Sequence, residues 1–116
     1  MEHRIFSYRG LFQWWSYTVS HGQLLLRSTK SSDRPTQIDI LFKNVKWVRL
    51  RTLMKDLEVL ETSSDPENLV RDAGVSVRFF LIRSLDHEGY VVAGNVVSDE
   101  SNREYYDDSP LLPKID

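Results

Sequence analysis

The stretch WWSYTVSHGQLLLRST, residues Trp14 to Thr29, decides how the chain is read. It places two tryptophans, a tyrosine and a histidine within eight residues. Such density belongs either to an exposed aromatic surface or to the inside of a sheet. Trp15, Tyr17 and Val19 are apolar, and Ser16, Thr18 and Ser20 between them are polar. That is the period of two of a half-buried strand. His21-Gly22 then interrupts it, and Gln23 to Ser28 forms a second run. A two-residue loop at His21-Gly22 pairs Val19 with Leu24 and Tyr17 with Leu26. Residues opposite each other in an antiparallel pair share a face. This register therefore predicts Trp15, Tyr17, Val19, Leu24 and Leu26 as core, with Leu25 a misfit. It turns Phe12 and Trp14 to the opposite side, where they need a second cover.

Working outward, Lys30 to Thr36 is polar, contains Pro35, and predicts a loop. Gln37 to Phe42 alternates again, and Lys43-Asn44 predicts a bend before extended chain from Val45 to Arg51. A turn over Thr52 to Asp56 leads to a short strand, Leu57 to Thr62. Ser64 with Glu67 three residues on fits a capping box, so one short helix is expected over Pro66 to Ala73. Val75 to Ser84 and Tyr90 to Ser98 predict two strands joined by a turn at Leu85 to Gly89. Gly94 marks a bulge or close packing in the second. These spacings leave no room for the helical crossovers that parallel strands need. The expected class is all-β, or mainly β with one short helix. The expected architecture is an antiparallel β-sandwich or partly open barrel of about six or seven strands. Residues 1–98 form the domain, and 99–116 form an acidic tail lying on the domain or on a partner.

Composition bounds what such a domain does. At 116 residues the chain suits one domain. With 41% hydrophobic and 28% charged residues it has ordinary globular composition, which excludes disorder throughout. It has no cysteine, so disulfides, thiolate metal sites and a cysteine nucleophile are excluded. Net charge is −2, against the basic surplus of nucleic-acid binders, and no nucleic-acid partner is expected. No run approaches ~20 apolar residues, and the charged Met1-Glu2-His3-Arg4 start does not resemble a secretory signal. The expected location is cytoplasmic, with no membrane partner.

Few constellations carry chemistry. Asp86-His87-Glu88 has the residue types of a general base or a metal site, but consecutive turn residues splay apart. His21 and His87 sit at predicted hairpin tips and meet only if both tips share one end of the sheet. The serine-nucleophile elbow and the phosphate-binding glycine motifs are absent from the sequence. No catalytic residue, metal site or cofactor is assigned. From Lys43 to Lys55 there are five basic residues and no acid. Lys43, Trp47, Arg49 and Arg51 share a face on a regular strand and form a candidate site for an anionic ligand. Later in the chain, the ten residues Asp99 to Asp108 carry five acids and one arginine. The acidic tail is expected to pack on the basic strand, within one chain or across a homodimer.

The reading that follows is a non-enzymatic, protein-binding domain that works through its sheet surface. Phe12, Trp14, Tyr105, Tyr106, Leu111 and Leu112 are its expected interface residues. An anionic small molecule at the basic, tryptophan-bearing face is the alternative. A hydrolase or isomerase using His21 or His87 is the second alternative.

Overall fold

A computed structural model describes residues 2–63, 65, 69, 76–104 and 107–112. The described residues form eight strands, all paired antiparallel. They are β1 (Glu2–Thr18), β2 (Gln23–Ser28), β3 (Gln37–Lys43), β4 (Trp47–Arg49), β5 (Leu53–Thr62), β6 (Arg78–Arg83), β7 (Glu88–Ala93) and β8 (Asn95–Ser101). They join one sheet in the order β4-β7-β6-β5-β1-β2-β3-β8. The all-β antiparallel class expected from the alternation is what the chain adopts. There is one sheet, and no ladder joins its end strands β4 and β8. The eighth strand arises because Gly94 divides the expected Tyr90–Ser98 run into β7 and β8. The helix expected over Pro66 to Ala73 lies outside the described residues except for Leu69.

The opening hairpin forms, in a different register. Thr18 pairs with Gln23, Tyr17 with Leu24, Ser16 with Leu25 and Trp14 with Leu26. The loop is Val19 to Gly22, closed by the Gly22 amide donating to the Val19 carbonyl at 3.1 Å. His21 and Gly22 both adopt positive φ, 68° and 54°. A four-residue loop built on such a turn is an ordinary hairpin connection. It slips β1 by two residues, which keeps each side chain on its face. A bulge at Trp15 then adds one residue and reverses the faces beyond it. Phe12 and Trp14 therefore turn inward: Phe12 is fully buried, and Trp14 packs on the same cluster. Trp15 turns outward beneath the Arg27 guanidinium, 4.8 Å from its ring centre. Val19, expected as core, is 85% exposed at the hairpin tip.

Residues before Trp14 show no continuous alternation, yet they form most of the longest strand. Bulges at Arg4/Phe6 and Tyr8/Leu11 reset the alternation and hide it from a periodicity search. At the second bulge Gly10 has φ 130°, and its amide donates to Asp56 Oδ1 at 3.0 Å. A Cβ on Gly10 would collide with Arg34, whose guanidinium donates there to the Arg9 carbonyl and the Ser28 hydroxyl.

The sheet coils because two strand pairs bend together. The β3–β8 ladder ends with Lys43 opposite Asn95, and β4–β7 resumes with Trp47 opposite Val92. Asn44, at φ 56°, and Gly94 lie at the bend, where the Gly94 amide donates to the Lys43 carbonyl at 2.9 Å. Bends of this kind carry strands around the corner of a barrel. Phe42 of β3 and Phe80 of β6 consequently meet, ring centres 5.7 Å apart, although three strands separate them in the sheet order. One inner cluster draws on β1, β2, β3, β5, β6, β7 and β8.

The other side of β2 and β3 is buried as well. Every residue of Gln23–Ser28 and of Gln37–Phe42 is shielded from solvent. Leu25, the misfit of the sequence reading, pairs with Leu41 there. Arg27 and Asp39 form a two-pronged pair at 2.8 and 3.1 Å, 1% and 2% exposed. Gln37, turned to satisfy both ends of its amide, donates to the Glu104 carbonyl at 3.2 Å and accepts from Arg27.

Removing one member of the buried pair strands the other charge. Asp39→Ala is expected to lower unfolding free energy in urea by about 3–5 kcal/mol, and the double change Arg27→Met/Asp39→Leu to recover most of that loss. Gly10→Ala is expected to cost about 1–3 kcal/mol in the same assay, through the positive φ and displacement of Arg34.

Candidate functional site

The bend that coils the sheet also gathers three turns at one end. The His21 carbonyl accepts from the Asn44 amide at 3.1 Å, and the Gly22 carbonyl from the Val45 amide at 2.9 Å. Gly94 bonds to Lys43 and Asn44 on the other side. The β1–β2 hairpin tip, the β3–β4 bend and the β7–β8 bend thus form one tied unit. The turns themselves, Val19 to Gly22, Lys43 to Lys46 and Gly94, contain no acidic residue. Acids beside them are held by arginines: Glu61 by Arg78, which also bonds Asn95, and Glu2 and Glu88 by Arg83 in the cavity beside Arg49.

This end exposes large apolar groups. Tyr17 is 46% exposed, Trp47 47% and Val19 85%. Lys43, Lys46 and Arg49 lie on the same two strand lines as the bend, and none of their side chains has an ion-pair or hydrogen-bond partner among the described residues. Exposed tryptophan and tyrosine are what interface centres are enriched in, with charge placed at the rim. The signal in the sequence was the acid-free run from Lys43 to Lys55. The contribution of the hairpin tip was missed, because Tyr17 and Val19 read as core.

The four residues of the expected ligand face are placed unequally. Trp47 and Arg49 lie two apart on β4 and share its outer side. Arg51 is engaged, its guanidinium 3.2 Å from Asp86. Lys43 closes β3 beyond the Asn44 bend, opposite Asn95. Beside Arg49 is a surface cavity of 420 Å³, floored by Phe79, Leu81 and Tyr90, with Arg83, Glu2 and Glu88 on its wall. The Phe79 and Tyr90 rings stack there at 5.3 Å. Arg83 contacts Glu88 and Glu2 at 3.0 Å each. The hydrogen bond to Glu88, then the charge of Glu2, raises its pKa further, so it stays protonated and already engaged.

Of the expected interface residues, Phe12 and Trp14 belong to the inner cluster. Leu111 and Leu112 are half-buried, and Tyr105 and Tyr106 lie outside the described residues. Among the described residues of the acidic segment, the side-chain contacts go elsewhere than the basic strand. Glu104 pairs with Lys30 at 2.7 Å, and Glu100 accepts from the Thr36 hydroxyl. Asp99 and Glu100 are strand residues, because β8 runs to Ser101. In the Asp86-His87-Glu88 run, Asp86 goes to Arg51 and Glu88 to Arg83, so the carboxylates diverge. His21 is exposed at its hairpin tip and His87 half-buried in the β6–β7 turn. No group of three His, Cys, Asp or Glu is placed to hold a metal ion among the described residues. No helix among them is long and apolar enough to cross a membrane.

No protein-family model, curated protein or solved structure matches the chain.

The reversed faces of β1 are open to measurement. Phe12→Ala is expected to cost about 3–5 kcal/mol in urea unfolding. Trp47→Ala is expected to stay within about 1 kcal/mol of the parent, as at other surface positions.

Proposed function

We propose that the protein is a non-enzymatic interaction domain that engages an acidic protein partner through its acid-free turns. One observation carries this reading. Trp47, Tyr17 and Val19 are exposed together with unpaired Lys43, Lys46 and Arg49, at an end held by hydrogen bonds among three turns. The apolar groups supply anchoring area, and the cations supply selection and on-rate. Recognition runs through side chains rather than strand addition: β4 has three residues and charged flanks, features that oppose edge pairing. The lack of cysteine supports a reducing, cytoplasmic setting.

Titration with poly-glutamate, followed by amide NMR shifts, tests the reading. Salt-sensitive shifts are expected at Tyr17, Val19, Lys46 and Trp47, with none on adding poly-lysine. Lys46→Glu/Arg49→Glu is expected to abolish them. A spectrum that does not respond to poly-glutamate, or responds elsewhere, overturns the proposal.

The cavity beside Arg49 favours a second reading, a small carboxylate or phosphate with an apolar body. Arg49 is the cation left available there, since Arg83 is held by Glu2 and Glu88. Thermal-shift screening of aromatic carboxylates and sugar phosphates is expected to give stabilisation that Arg49→Ala removes. No shift across the panel overturns this second reading.

A further inference from the structure

The strand ladder sets the two charge blocks of the chain at opposite ends of β3. At one end Lys43 faces Asn95, beside Lys46 and the acid-free turns. At the other, Ile38 faces Glu100 and Gln37 faces Ser101, with Glu104 on Lys30 nearby. Six strand steps separate Gln37 from Lys43, a span of roughly 20 Å. That is beyond the reach of a side-chain pair and beyond the ~8 Å screening length of physiological salt. Glu100, Glu104, Asp107 and Asp108 are all exposed. Segment 99–108 carries five acids against one arginine, a net −4, and none of its described acids reaches Lys43, Lys46, Arg49, Arg51 or Lys55. The two blocks are complementary, and no contact among the described residues joins them inside one molecule.

We propose that the acidic end of one copy docks on the basic turns, Lys43 to Arg49, of a second, so that the protein associates head to tail. This rests on the reading of those turns as an interaction surface and names its occupant. Unlike patches meet, so the contact is heterologous and continues into a ring or a short open array rather than stopping at a pair by symmetry. The charges set register and salt dependence, and Trp47, Tyr17 and Val19 supply the apolar seat.

Sedimentation equilibrium over a concentration series tests it. At low salt the wild-type mass is expected to rise above that of one chain with concentration. It should return to one chain at high salt, where screening shortens to about 3 Å at 1 M. Lys46→Glu/Arg49→Glu and Glu100→Lys/Asp108→Lys are each expected to remain monomeric, with unchanged far-UV circular dichroism. An equimolar mixture of the two is expected to associate again, because each reversed end then meets an opposite charge. Wild-type protein that stays monomeric at low salt overturns the inference. Association that survives either reversal, or a mixture that fails to recover it, overturns it as well. The poly-glutamate titration reads the surface independently: a monomeric wild type that still binds poly-glutamate loses this occupant and keeps the interaction surface.

Discussion

The meeting of Phe42 with Phe80 is the contact on which the rest of the structure depends. These rings belong to strands that are not neighbours, and they touch because the sheet coils back on itself. The coil comes from a shared bend, Asn44 on one strand line and Gly94 on the other. Without it, β3 and β6 would lie four strand spacings apart, roughly 19 Å at about 4.8 Å per spacing. Neither side of the inner cluster would then be covered by the other. The same bend leaves β4 as a short end strand and draws the β1–β2 hairpin tip onto the β3–β4 corner. Core closure and the exposed end are therefore two results of one backbone feature.

The second constraint is the buried outer side of β2 and β3. An ion pair as deeply buried as Arg27–Asp39 is a weak source of net stability, because desolvation offsets its attraction. Its geometric consequence is clearer. Two-pronged pairing fixes Arg27 opposite Asp39, and Trp15 lies against the guanidinium. A one-residue slip between β2 and β3 would separate these charges and leave each without water. The pair thus selects a register, and that register places Lys43 at one end of the sheet and Glu100 at the other.

Both constraints bear on function through polarity. A net charge of −2 conceals two opposite charge blocks, Lys43 to Arg49 and Asp99 to Asp108, that the ladder sets toward different ends of β3. The sorting is imposed by strand direction: β3 runs from the acidic end to the basic end, and β8 returns antiparallel beside it. Arg51 and Arg83, which a charge count would add to the basic surface, are neutralised by Asp86 and by Glu2 with Glu88. Near Trp47 in the chain, Lys46 and Arg49 keep no such partner among the described residues.

The sequence alone determined the β class, the hairpin at His21-Gly22, the bend at Lys43-Asn44, the irregularity at Gly94 and the acid-free basic run. Each is a local signal, carried by period, turn chemistry or composition within a few residues. Tertiary structure decided which tryptophan is core. A bulge at Trp15 adds one residue and exchanges the faces of β1, and nothing local announces a bulge when polar and apolar residues stand on both sides of it. Tertiary structure also decided which cations are available and where the acidic segment lies. Those outcomes depend on which strands become neighbours and in which direction they run, and partners distant in the chain leave no trace in the spacing of either one.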